Sequence, residues 1–143
     1  MFQPVWKETP GCHLARHHRT IFLIREAFNV SAILIVDDDL EIRELVANVA
    51  RAAGFQAICA ANGQEAISAL DASSGYIDLI VTDLTMPIMD GHQLIRLSRK
   101  LCPEIRIVCM SGYSDRVPLG VAFLHKPFTV SILSTAIRGY NAA

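Results

Sequence analysis

Three carboxylates in a row, Asp37, Asp38 and Asp39, follow the apolar run AILIV at 32–36, and a fourth, Asp83, closes the run YIDLIVT at 76–82. Ser111 follows IRIVCM at 105–110, and Lys126 follows VAFLH at 121–125. Carboxylates crowded together repel one another unless a cation or a proton offsets them, and hard oxygen ligands with open coordination positions suit Mg2+. A carboxylate beside such an ion can act as a nucleophile toward phosphorus, provided that metal, lysine and hydrogen-bond donors neutralise the oxygens of the transferring group. Asp83 is the candidate nucleophile. Lys126, the Ser111 hydroxyl and the backbone N–H groups after Asp83 are the candidate neutralising set.

That chemistry requires the runs to end on one rim. Between them lie segments of helical period: Ile42, Leu45, Val46, Val49 and Ala53 recur at helical spacing until Gly54 stops them. FQAICA at 55–60 reads as a weaker strand, and Asn62 with Glu65 forms a capping box for a helix through Leu70. Asp90 with Gln93 opens a helix carrying Leu94, Ile95 and Leu101. A last helix from Thr129 places Val130, Leu133, Ile137 and Tyr140 on one face. Short apolar strands alternating with helices imply an α/β fold, an open doubly wound parallel sheet covered on both faces. Ligands of such sheets bind outside the carboxyl ends of the strands, where Asp83 is expected to stand exposed at the rim, facing the acidic cluster and the lysine.

The chain has 143 residues, 52% hydrophobic and 19% charged with a net charge of −1, which fits one globular domain and leaves no room for a second. The near-neutral charge lacks the electrostatic footprint of a nucleic-acid-binding or membrane-surface module, so neither nucleic acid nor membrane is an expected partner. Cys12, Cys59, Cys102 and Cys109 form no C-x-x-C pair and read as free thiols of a cytoplasmic protein. The apolar stretch Ile21 to Ile24 is too short for a signal segment or a membrane span. Residues 1–30 differ from the rest and read as an extension, poorly ordered or a short helix over Thr20 to Val30, ahead of a domain at 31–143. His13, His17 and His18 with Cys12 could hold zinc, but no second ligand pair stands at finger spacing.

ILIVDDD (33–39), VTDLTMPIMDG (81–91), IVCMSGY (107–113) and FLHKPF (123–128), in this order at the strand ends, resemble the four sequence blocks of the receiver domain of response regulators. The resemblance covers about residues 31 to 140. It implies a flavodoxin-like five-stranded sheet in the order 2-1-3-4-5. It implies Asp83 as phosphoacceptor, charged from a sensor histidine kinase or a histidine phosphotransfer protein. It further implies Asp38 as a direct Mg2+ ligand, Asp37 mainly through water, and the Thr85 carbonyl as another. Lys126 would pair with the phosphoryl oxygens and Ser111 would swing toward the new phosphate, with Phe123 at the aromatic switch position. Thr85 and Tyr113 stand where the family tunes phosphate lifetime. The peptide between Lys126 and Pro127 is cis in many relatives.

One departure stands out. The fourteen residues between Ser111 and Lys126 include Gly112, Pro118 and Gly120, so the family's fourth helix is expected to be shortened by about two turns or missing. In this respect the chain resembles receivers of hybrid sensor kinases. The expectation is a stand-alone receiver, no enzyme in its own right, acting in a phosphorelay and offering a switched surface to a downstream protein. A docking module that is never phosphorylated keeps the fold without the chemistry. An aspartate-nucleophile phosphatase would need a second Asp two residues past the nucleophile, where Thr85 stands. Asp39 and Asp90 read as helix caps rather than ligands.

Overall fold

Aliphatic and β-branched residues in short uninterrupted runs suit strands buried on both faces. The computed structural model describes residues 31–73, 77–113 and 117–139, and there these runs form β1 (Ala32–Val36), β2 (Gln56–Ala60), β3 (Ile77–Asp83), β4 (Arg106–Ser111) and β5 (Ala122–His125). All pairings are parallel, in the order β2-β1-β3-β4-β5. Four helices are described: α1 (Leu40–Ala52), α2 (Gly63–Ser73), α3 (Gly91–Leu101) and α4 (Val130–Gly139). Residues 1–30, with Cys12, the three histidines and the Thr20 to Val30 segment, lie outside the described residues, as do Tyr76 and Tyr140.

Successive strand residues point to opposite faces, so each strand feeds two cores. Ile33, Ile35, Leu79, Val81, Val108, Met110 and Leu124 pack with Val46 and Ala50 of α1 and Leu133 and Ile137 of α4. Leu34, Val36, Ile80, Ile107 and Cys109 pack with Ala66 and Leu70 of α2 and Leu94 and Ile95 of α3. Burial pushes the Cys109 thiol up to about 11, where it behaves as a small hydrophobe. No helix joins β4 to β5 among the described residues; the connection is tied to α3 where Arg99 Nη2 donates to Leu119 O. Nor is any described helix long and apolar enough to cross a membrane.

Several boundaries differ from the sequence reading, each for a local reason. Phe55 precedes β2 rather than opening it, because its N–H still closes onto Ala50 O beyond the left-handed Gly54. Asn62 caps α2 through Glu65 N–H at 2.9 Å, but the Glu65 carboxylate reaches back to Ala61 N–H, one residue beyond the Asn62 N–H of a reciprocal box. Leu45, Leu101 and Val130 are exposed rather than buried in the core, whereas Ser98 is fully buried with its hydroxyl donating to Leu94 O. Val130 is the first residue of α4, beyond the edge of the core that Leu133 and Ile137 fill. Leu133→Ala is expected to lower the free energy of unfolding by about 2–5 kcal/mol. Val130→Ala should change it by about 0.5 kcal/mol or less, both read from urea denaturation.

Candidate functional site

Because β1 and β3 are neighbours and parallel, their carboxyl ends bring Asp37, Asp38 and Asp83 together, with one carboxylate oxygen from each within 4.8 Å of the others. β5 lies two strands away from β3, and Lys126 reaches from its end across β4. Its Nζ stands 2.8 Å from Asp37 Oδ2 and 3.2 Å from Asp83 Oδ2. The Lys126 N–H donates to Ser111 O, and the Lys126–Pro127 peptide is cis. A hard-oxygen donor set of this kind fits Mg2+, and exposed Asp38 leaves one side open to solvent.

Asp83 is not exposed at the rim as the sequence suggests; it is 8% exposed. β3 runs one residue further than expected, pairing Asp83 with Met110, so the carboxylate forms the floor of the acidic site rather than its edge. Its Oδ1 accepts the Thr85 N–H at 3.2 Å. Asp37 is fully buried, and its Oδ1 accepts the Asp39 N–H at 2.9 Å. Asp39 and Asp90 cap α1 and α3 through Glu41 and Gln93 N–H groups and do not join the cluster. The Ser111 hydroxyl oxygen, nearly fully buried, accepts the Tyr113 N–H at 3.1 Å, while the Tyr113 ring is exposed. Phe123 is half-buried against the α2–α3 core and meets His125 edge-on, with ring centroids 6.4 Å apart.

Four residues that sequence reasoning passed over shape this site. Arg43 donates to Asp37 O at 2.8 Å, bracing the turn into α1. Gly91 is packed so closely on β3 that a Cβ would collide with the Asp83 carbonyl oxygen, and its N–H donates to Leu84 O. Gly63 approaches Met89 in the same way. Ile88, between these glycines, holds a φ of 70°, a conformation costing a β-branched residue roughly 1–3 kcal/mol. The dipeptides Asn62-Gly63 and Asp90-Gly91 carry a signal for this, since a glycine beside the cap permits a close backbone approach that the capping role of Asn62 and Asp90 does not itself require.

Burial raises the Asp37 pKa, more than its hydrogen bonds to Lys126 and Asp39 lower it. For Lys126, burial acts to lower the pKa, but the contacts with Asp37 and Asp83 together outweigh it and raise the value. Both shifts mean that the folded state binds protons more tightly than the unfolded chain. Stability is therefore lost as pH rises from about 3.8 through the Asp37 value, and again from about 10.5 through that of Lys126.

A match to the family model of the response regulator receiver domain spans residues 33–138, and the chain belongs to that family. Among curated relatives it is 31% identical to the sensor kinase CckA of Brucella abortus (strain 2308), over 76% of this chain and 12% of the kinase. It is 32% identical to sporulation initiation phosphotransferase F of Bacillus subtilis (strain 168), over 76% of this chain and 91% of that protein. The chain thus spans a small part of CckA, and likewise 24% of the transcriptional regulator DctD of Rhizobium meliloti (strain 1021). Among solved structures, the receiver domain of the hybrid histidine kinase CckA superposes with a TM-score of 0.69 at 32% identity, over 76% of this chain and 97% of that one. A receiver protein from Sinorhizobium medicae WSM419 gives 0.70 at 31% identity, over 81% and 98%. Receiver domains of two-component systems are phosphorylated on aspartate and bind Mg2+ at an acidic pocket.

Removing the lysine leaves the buried carboxylates without their cation. Lys126→Met is expected to destabilise the metal-free protein by roughly 1–3 kcal/mol at pH 8, below the ~3–5 kcal/mol of a fully buried pair because Lys126 keeps some contact with water. The loss should shrink toward about pH 4, as Asp37 takes up its proton, which paired urea titrations would register.

Proposed function

We propose that Asp83 accepts a phosphoryl group from a phosphohistidine on a sensor histidine kinase or histidine phosphotransfer protein. The observation that carries this reading is the cluster of Asp37, Asp38 and Asp83 with Lys126 bridging two of them. An Asp83 oxygen forms the new bond to phosphorus as the N–P bond of the donor breaks, its electron pair returning to the imidazole. Lys126 holds the carboxylate and then balances the charge of the phosphoryl oxygens. Ser111, whose oxygen already accepts the Tyr113 N–H, keeps its hydroxyl proton to donate to the product. Asp38, Asp83 and the Thr85 carbonyl would hold Mg2+ directly and Asp37 mainly through water; the ion supplies further positive charge against the phosphoryl oxygens.

The protein is thus a phosphoacceptor that assists its own phosphorylation and dephosphorylation, not a phosphatase. About two added negative charges draw Ser111 and Lys126 together, and Phe123 with its neighbours repacks to present a changed surface to a downstream protein. Action as a stand-alone relay component, in the cytoplasm, is supported by the likeness to phosphotransferase F, nearly all of whose length is matched, and by the free Cys59, Cys102 and Cys109.

Intact mass after incubation with acetyl phosphate tests the reading. Wild type should gain one phosphoryl group only with Mg2+, and Asp83→Asn none. A gain that persists in Asp83→Asn refutes the site; no gain in wild type favours a docking module that is never phosphorylated. Turnover of a generic phosphate ester should be absent, and its presence would revive the phosphatase account.

A further inference from the structure

The connection from β3 to α3 holds a backbone shape that its own residues do not favour. The Met89 N–H closes onto Pro87 O at 2.8 Å, and Ile88 between them has a φ of 70°. Ile88 is 80% exposed, so its side chain contributes little packing to hold this turn. The restraint comes from outside it. Gly91 N–H binds Leu84 O at the far end, and Gly63 N–H, from the first residue of α2, binds Met89 O at 3.2 Å. A Cβ on Gly63 would stand 2.7 Å from Met89 Cγ and 2.8 Å from the Met89 carbonyl oxygen. Side-chain rotation could relieve the first contact but not the second, because the oxygen belongs to the backbone.

Something would have to move, and the two partners are unequally anchored. α2 is held by Ala66 and Leu70 in the core and by the buried cap Asn62. The connection opposite is seated at its start by buried Leu84 and Met86, but about the turn it exposes Pro87 and Ile88, as it does Thr85. The strained turn is therefore the partner that yields, and Thr85, whose N–H binds Asp83 Oδ1, lies in the same connection.

We propose that Gly63 is a positioning residue for the acceptor site: by seating Met89 against the start of α2 it holds the turn at Ile88, and through it the Thr85 backbone beside Asp83. The inference rests on the reading that this site binds Mg2+ and takes the phosphoryl group. Gly63 has no role in the chemistry itself.

The test is calorimetric Mg2+ titration of the full chain for wild type, Gly63→Ala, Met89→Ala and Leu133→Ala, with amide hydrogen exchange at Met89 and Gly91 in the metal-free proteins. Gly63→Ala should raise the half-saturating Mg2+ concentration about tenfold, at the low end of the range for groups that orient metal ligands, and speed exchange at Met89 and Gly91. Met89→Ala, which empties the seat but keeps the carbonyl, should shift both readouts less and in the same direction. Leu133→Ala, a change in the core on the other face of the sheet, should cost stability and leave the half-saturation alone. An unchanged half-saturation in Gly63→Ala overturns the proposal; if that variant does not fold, Met89→Ala decides by the same criterion. A wild type that binds no Mg2+ overturns the proposal together with the reading beneath it, whereas normal wild-type binding with unaffected variants overturns the proposal alone.

Discussion

A single ammonium group shared by two buried carboxylates is the interaction on which this site depends. Lys126 lies 2.8 Å from Asp37 and 3.2 Å from Asp83, while Asp38 adds a further carboxylate nearby. The cluster carries more negative than positive charge, so the lysine reduces the repulsion without removing it. Burial is the main reason that Asp37 holds its proton more tightly than an ordinary carboxylate even with the lysine in contact, and repulsion from Asp83 adds to it. The imbalance also leaves room for a divalent cation, whose charge would complete what the lysine begins.

The sheet exists to make that contact possible. A parallel arrangement puts the ends of β1, β3, β4 and β5 on one rim, and helical crossovers return the chain to the opposite edge between β1 and β2, β2 and β3, and β3 and β4. Burial on both faces makes the strands stiff, so the acidic ends are held together despite their repulsion. The loops above them need close backbone packing, which is why Gly91 lies against the Asp83 carbonyl and Gly63 against that of Met89.

Most of this architecture was legible because strands buried on both faces are written as apolar runs: AILIV is unbroken, and IRIVCM is apolar from Ile107 onward. The caps Asp39 and Asp90 were legible for a similar local reason: each side chain satisfies N–H groups two or three residues away. The depth of Asp83 was not, because it depends on one further pairing with Met110 in a strand more than twenty residues distant. The Val130 exposure depends on where α4 begins relative to the core, and the Arg43 brace on a turn brought back over β1. The juxtaposition of Asp37, Asp38, Asp83 and Lys126 follows from topology, but their separate roles came from the resemblance; spacing alone left the Asp run open to a capping role.

The link from β4 to β5 shows how the same contacts can serve both the resting site and a change of state. Lys126 N–H is bonded to Ser111 O, so the residue that balances Asp83 and the residue proposed to answer a phosphoryl group share one backbone hydrogen bond. Displacement of Ser111 is therefore felt at Lys126, and the Tyr113 N–H bonded to the Ser111 oxygen moves with it. No described helix intervenes before Phe123, whose ring is only half-buried and rests edge-on to His125. With Arg99 fastening Leu119 to α3, movement at the end of β4 has a short path to both β5 and α3. The described residues Gly112, Tyr113, Val117, Leu119 and Gly120 of this connection are exposed and make fewer packing contacts than a seated helix would, so the free energy needed to shift them is correspondingly smaller.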